Sequence, residues 1–110
     1  MFNQVILIGR VVADPELQQS QNEKNFVELT LAIQRPFKNS QNQYDTDFIK
    51  VKFWEYLAIN IKEYCEKGSI VSVKGRIQPR TIKKNDVSFE TIDIIGEQII
   101  FINKPTKKED

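Results

Sequence analysis

One stretch of the chain decides the fold, because the spacing of its apolar residues changes twice. Residues 48–77 read FIKVKFWEYLAINIKEYCEKGSIVSVKGRI. Apolar and polar side chains first alternate, as in a β-strand with one covered face. Over residues 56–67 the apolar side chains recur every three or four positions, which predicts one short helix, and Gly68 suits a left-handed helix end. Alternation returns over residues 69–77, so the stretch predicts strand, helix and strand.

Further strands are predicted on both sides of this stretch. Residues 4–12 are rich in β-branched residues and almost continuously apolar, which favours a first strand covered on both faces. A second strand is predicted over residues 26–34, and later strands over residues 87–94 and 98–102. This order predicts an all-β fold, a five-stranded OB-type barrel with one short α-helix between strands 3 and 4. A small α+β open sheet with one helix packed on it is the alternative.

The polar segments between the strands are expected to be connections. Residues 37–47 predict a polar loop or a flexible hairpin tip, and residues 80–86 predict a basic connection. We expect one domain over residues 1–103 and a short, charged, frayed tail over residues 104–110.

Composition argues for a binding protein rather than an enzyme. The 110 residues suffice for one core, with no histidine and one cysteine, Cys65. The commonest general base and the usual zinc ligands are therefore missing, and we expect no metal or cofactor. No apolar run approaches the ~20 residues that span a bilayer, so no membrane partner is expected. A single cysteine suits a reducing compartment, which predicts a cytoplasmic protein.

Charge is unevenly distributed along the chain, although the net charge is only +1. Residues 1–47 carry four basic and six acidic side chains, residues 48–84 nine and three, and residues 85–110 three and six. A basic middle third can create a local positive surface, because fields act over about a Debye length, ~8–10 Å. From the charge counts alone, scattered solvated lysines remain an equal alternative.

One face of the predicted third strand carries two rings and two lysines. Phe48, Lys50, Lys52 and Trp54 alternate with apolar residues that we assign to the core. Exposed rings gain nothing from water, but they stack on unpaired bases while ammonium groups neutralise phosphates. Duplex DNA hides its base faces, so the pattern predicts binding to single-stranded nucleic acid. Burial of the rings by a loop or a partner subunit is the alternative.

Cations and one further ring extend this surface. The strand after the helix directs two cations outward and the segment after it adds three, while the second strand enters its polar loop with a ring between two cations. The residues predicted to bind single-stranded nucleic acid are Arg10, Arg35, Phe37, Lys38, Phe48, Lys50, Lys52, Trp54, Lys74, Arg76, Arg80, Lys83 and Lys84.

Short motifs along most of the chain share their order and spacing with a known family. They are Asn3-x-Val5-x-Leu7-x-Gly9-Arg10, Asp14-Pro15-Glu16, Leu29-Thr30-Leu31-Ala32, Asp47-Phe48-Ile49-Lys50-Val51, Glu63-Tyr64-x-x-Lys67-Gly68-Ser69 and Gly75-Arg76-Ile77. As far as Phe101, the chain resembles the bacterial single-stranded DNA-binding protein family.

The resemblance implies an OB fold and sequence-independent wrapping of single-stranded DNA in replication, recombination and repair. It also implies a homotetramer built partly by pairing first strands, with a dimer still possible. The family's stacking aromatics fall at Phe37, Phe48 and Trp54, whereas a fourth position, usually tryptophan, is Ile82 here. The family's acidic, phenylalanine-ended tail peptide has no counterpart in residues 104–110, so tail-mediated recruitment of enzymes is not expected.

Two functions are compatible with these patterns. The main hypothesis is a non-enzymatic binder that protects single-stranded DNA and removes its secondary structure. The alternative is a replication-assembly factor of the primosome type, which would use the same barrel mainly to dock another protein.

Overall fold

The computed structural model describes residues 1–103, which form a β-barrel with one helix. The elements are β1 (Val5–Val11), β2 (Gln18–Gln19), β3 (Asn25–Lys38), β4 (Tyr44–Trp54), α1 (Glu55–Tyr64), β5 (Ile70–Lys84) and β6 (Val87–Asn103). Among these residues, five strands close in the order β1-β5-β6-β4-β3 with β3 returning to β1, and β2 pairs outside with β3. The predicted five-stranded barrel with one helix before its fourth strand is confirmed. The predicted tail, residues 104–110, lies outside the described residues.

The barrel closes through two short seams between long antiparallel pairs. β1 meets β3 at Arg10↔Ala32 and Val11↔Leu31. β4 meets β6 through one parallel pair in the described residues, Lys52↔Ile95. Because so few backbone pairs join β4 and β6, side chains from both strands border an open groove beside this seam.

The core follows the alternation that the sequence shows. β3 buries Val27, Leu29 and Leu31, while β4 buries Val51 and Phe53. Each fully buried side chain of this size contributes about 1.5–3 kcal/mol relative to exposure. These inward residues fix the opposite set of each strand on the outside.

Gly96 is required where β6 crosses the core. A Cβ built on Gly96 would overlap the ring of Phe53, so this strand can approach the ring only without a side chain.

The first strand is covered on one face only, so the expectation of two covered faces is wrong for the single chain. Ile6 is 65% exposed and Ile8 is 57% exposed, while Leu7 packs against the core. A continuous apolar run therefore marks a strand with an apolar outer face as well as an inner one.

Both predicted polar connections are largely strand. β3 continues to Lys38 and β4 begins at Tyr44, so residues 39–43 alone connect them. β5 runs to Lys84, and Asn85 and Asp86 turn with φ of 51° and 62°, as in a two-residue hairpin. The outer halves of these hairpins have water on both faces, so their sequences lack the apolar alternation of a barrel strand.

The last two predicted strands form one bulged strand, β6. Lys74 pairs with Gln98 while Gly75 pairs with Gly96, so Glu97 is an extra residue between the two registers. The bulge accounts for the break in alternation that the sequence shows there.

The helix ends earlier than predicted. Its last turn closes with the N–H of Cys65 donating to the carbonyl of Ile61 at 2.9 Å. Gly68 has φ of 93° but lies beyond the helix, where its N–H donates to the carbonyl of Val11 at 2.8 Å. The glycine therefore turns the chain back to the barrel rather than ending α1. In the described residues, no helix has the length and apolarity needed to cross a membrane.

Candidate nucleic-acid interface

The outer face of β3 and β4 carries the predicted rings and lysines. Phe48 is 66% exposed, Lys50 is exposed, and Lys52 and Trp54 are half-buried. The intervening residue Val51 is fully buried, so the alternation of β4 has the predicted direction. The four side chains therefore share one outward face, with Phe48 the most open ring.

A second ring beside Trp54 was missed by the sequence prediction. Phe26 pairs with Trp54 across β3 and β4, and the two ring centroids lie 5.1 Å apart at an angle of 41°. The Nζ atom of Lys52 lies 5.3 Å from the centroid of Phe26 and 5.6 Å from that of Trp54. Phe26 lies two residues before Glu28, an outward residue of the same strand, so the alternation places both side chains on one face. This alternation is the signal that could have found Phe26.

A groove of about 380 Å³ lies between β4 and the β5–β6 hairpin. Lys50, Lys52 and Arg80 contribute three cations to its walls, and Glu28 and Asp93 contribute two carboxylates. The side chain of Arg80 donates to both carboxylate oxygens of Asp93, at 2.8 and 3.1 Å. This hydrogen bonding raises the pKa of Arg80, and the groove keeps an excess of one positive charge.

The distal half of the β3–β4 hairpin contains a second internal ion pair. Arg35 donates from Nε and Nη2 to the carboxylate of Asp47, both at 3.0 Å, and lies 3.8 Å from Asp45. The hydrogen bond from Arg35 lowers the pKa of Asp47. Phe37 is 61% exposed beyond this pair, and the ammonium of Lys38 lies over the Tyr44 ring at 5.7 Å. The segment predicted as a polar loop or flexible hairpin tip is therefore a paired hairpin that carries an exposed ring.

Arg10 lies in one cross-strand row with Phe48. Arg10 pairs with Ala32 of β3, and Ala32 pairs with Phe48 of β4. The guanidinium also donates to the carbonyl of Gly68 at 3.3 Å. The barrel closure thus brings a residue of the first strand to the edge of the ring-bearing face.

Two predicted cations of β5 lie apart from this row. Lys74 pairs with Ile6 and therefore belongs to the outer apolar face of β1 and β5. Arg76 pairs with Ile95 and bonds Glu97 at 3.5 Å. The register therefore places Lys74 beside β1 rather than beside the rings of β4, and its contact with DNA stays a prediction.

The tip of the β5–β6 hairpin carries the remaining predicted cations. Lys83 and Lys84 are exposed beside the Asn85–Asp86 turn. Ile82 pairs with Phe89, and both are exposed. The tip therefore combines two ammonium groups with a ring on the opposite strand.

Lysines and arginines of the candidate interface differ in their partners. Three arginines are engaged by carboxylates, whereas within residues 1–103 none of the predicted interface lysines has a carboxylate within 4.0 Å. On β4 and at the β5–β6 tip these lysines are Lys50, Lys52, Lys83 and Lys84. Their ammonium groups need not break an ion pair before meeting a phosphate.

The comparisons with known proteins agree with this geometry. A family model described as "Single-strand binding protein family" matches residues 2–102. The chain belongs to the single-strand binding protein family. It is 36% identical over 110 residues to single-stranded DNA-binding protein B of Bacillus subtilis strain 168, covering 98% of this chain and 97% of that protein. The name of this relative denotes DNA binding and no reaction.

Other members of the family are longer than this chain. The single-stranded DNA-binding protein of Halalkalibacterium halodurans is 42% identical over 86 residues, covering 78% of this chain and 51% of that protein. The chain therefore spans about half the length of this relative. A solved SSB from Plasmodium falciparum in complex with ssDNA has a TM-score of 0.78 over 94% of this chain and 96% of that one, at 24% identity, which shows the shared OB fold.

Proposed function

We propose that this chain binds single-stranded DNA without sequence preference, by stacking bases on outward rings and contacting phosphates with lysines. The observation that carries the proposal is the outer face of β4, where Phe48 and Trp54 flank Lys50 and Lys52. Every base has a π face, so stacking worth ~1–3 kcal/mol per base tolerates any sequence. The names of the relatives support the same ligand.

Binding of this kind acts by mass action. A protein that binds unpaired strands and not the duplex lowers the free energy of the unpaired state, which protects it and removes secondary structure. This is the role that we assign to the chain in replication, recombination and repair. The single cysteine of the sequence, Cys65, supports a reducing, cytoplasmic setting.

Trp54 provides a direct test, because it is the single tryptophan of the sequence. Its fluorescence should be quenched by oligothymidylate, and the affinity should fall with salt with a log–log slope of about −0.7 per phosphate contacted. Lys50→Gln should make the slope about 0.7 less steep. Lys24→Gln, in the turn before β3, is the matched control and should leave it unchanged.

Two results would contradict the proposal. Equal affinity for a duplex of the same length would exclude stacking on unpaired bases. Unchanged emission together with no measurable binding by anisotropy would favour the alternative of protein docking.

We further propose a homotetramer. The outer face of β1, β5 and β6 supports it, since Ile6, Ile8, Ile100 and Ile102 are all more than half exposed there. An apolar patch of this kind on a sheet indicates an interaction surface. One edge of the strand also supports pairing between first strands, since residues 5–8 pair with β5 on one side and with no other described strand.

Sedimentation equilibrium tests the assembly. Four chains of 12.9 kDa should sediment as a species of about 52 kDa. Ile8→Lys should shift the wild-type species to smaller ones without lowering helix or sheet content. A monomeric wild type at micromolar concentration would refute the assembly while leaving DNA binding open to its own test.

A further inference from the structure

Phe26 is an aromatic residue on the candidate interface that the prediction from sequence did not include. It begins the outward set of β3, directly before the fully buried Val27. Its ring contacts Trp54 on one side, and the remainder of the half-buried ring faces outward. A ring that served only the core would point inward, as Val27 does.

The geometry of the two rings restricts what they can do. A centroid distance of 5.1 Å is direct ring contact, so no base can enter between Phe26 and Trp54. Their outward sides instead form adjoining apolar surfaces, one on β3 and one on β4. The tilt of 41° makes the two surfaces meet at an angle rather than form one plane.

Lys52 places a cation where the two rings meet. Its Nζ atom is within 5.6 Å of both centroids, and within residues 1–103 no carboxylate lies within 4.0 Å of it. Cation–π contacts are weaker than an ion pair with a phosphate, so a phosphate can compete for the ammonium. A nucleotide whose base lies on either ring would have its phosphate within reach of this side chain.

We propose that Phe26 and Trp54 form one two-ring platform for single-stranded DNA, in which Phe26 itself receives a base and Lys52 contacts the adjoining phosphate. The inference rests on the proposed function and deepens it. It requires the bound strand to cross from β4 to β3 at Trp54, rather than follow β4 alone.

A double-mutant cycle separates a binding ring from a supporting one. The variants are Phe26→Leu, Trp54→Leu and their combination, and the readout is the anisotropy of a labelled oligothymidylate of about ten nucleotides, within the range bound by one OB fold. Phe26→Leu should weaken binding about fivefold or more in both backgrounds, the lower end of ~1 kcal/mol per stacked base. Phe26→Tyr, which keeps the ring, should stay within about twofold of the wild type.

Controls exclude a general loss of structure. Phe2→Leu removes a ring that is 99% exposed and is separate from the platform, so affinity should not change. Thermal melting checks each variant, and Phe26→Met replaces Phe26→Leu if the latter melts more than about 10 °C below the wild type.

The outcomes decide between the possible roles. A loss that appears in the wild type but disappears in the Trp54→Leu background would mean that Phe26 only positions Trp54, and would overturn the inference. No loss in either background would overturn it too, with the proposed function intact as long as the wild type binds. A wild type that does not bind the oligonucleotide would refute the proposed function itself.

Discussion

Alanine substitutions on the two faces of β4 should separate DNA binding from stability. Phe48 is 66% exposed, and Val51, three residues later, is fully buried. Phe48→Ala removes one stacking surface worth ~1–3 kcal/mol, which corresponds to about 5- to 150-fold weaker binding of oligothymidylate. Because its ring lies outside the core, the free energy of unfolding should change by no more than about 0.5 kcal/mol.

Val51→Ala should give the opposite result. The substitution removes two buried carbon atoms at ~0.8 kcal/mol each and leaves a cavity, which together cost about 2 kcal/mol of stability. For a domain of this size, the melting temperature should fall by about 8–16 °C. At 15 °C, where the variant remains folded, its affinity for oligothymidylate should stay within about twofold of the wild type.

Anisotropy titration and differential scanning calorimetry on the same preparations test both predictions. The reasoning is refuted if Phe48→Ala lowers the melting temperature as much as Val51→Ala and binds as tightly as the wild type. That pair of results would mean that Phe48 packs inside a subunit or an assembly rather than against bases.

Three further substitutions have defined outcomes. Glu28→Gln removes a carboxylate from the groove. Because two unit charges about 7 Å apart in water interact by ~0.6 kcal/mol, loss of the repulsion between this carboxylate and a phosphate should tighten binding two- to threefold at 50 mM salt. Weaker binding would refute this prediction. Asp47→Asn removes the hydrogen-bonded partner of Arg35 and leaves Asp45 at 3.8 Å, so the salt slope should steepen by up to about 0.7, whereas an unchanged slope would place Arg35 away from the DNA path. Because Arg35 lowers the pKa of Asp47, their contribution to stability is complete above pH ~3.9 and is lost as the pH falls through the lowered value. Melting curves of wild type and Asp47→Asn should therefore converge only in acid, and convergence between pH 5 and 8 would contradict the pairing. Gly96→Ala pushes a Cβ into the ring of Phe53 and should cost about 1–3 kcal/mol in calorimetry; an unchanged melting temperature would mean that the ring can move aside.

The barrel was predictable because each of its strands has one solvent-exposed face and one face that packs on the core. Over residues 26–34 and 48–54, period two shows which side chains enter the core, and the structure follows it. The hairpin extensions beyond the barrel have no dry face, so residues 80–86 looked like a loop although they pair strand to strand. In such segments the backbone hydrogen bonds between the strands and the Asn85–Asp86 turn determine the structure. Neither produces a periodic pattern of hydrophobic residues in the sequence.

The site was predictable as a set of outward residues but not as a set of contacts. The parity of Phe48 and Trp54 could be counted along one strand. The pairing of Arg80 with Asp93 depends on a register across two strands, and so does the contact between Phe26 and Trp54. The position of Lys74 depends on a register in the same way, since β5 pairs with β1 on one side and with β6 on the other.

The division between arginines and lysines explains how a chain of net charge +1 can bind a polyanion. Guanidinium groups make planar, two-pronged contacts, and here they hold the hairpins through Asp47 and Asp93. Lysine ammonium groups are point charges on flexible stems, suited to phosphates whose positions vary with the strand. Because Asp47 and Asp93 are already paired with arginines, the lysines along β4 and at the β5–β6 tip present a local positive field that the total charge conceals. Replacing Arg80 by Lys should therefore lower the melting temperature while changing the affinity for oligothymidylate little. Replacing Lys50 by Arg should leave the melting temperature and the affinity nearly unchanged.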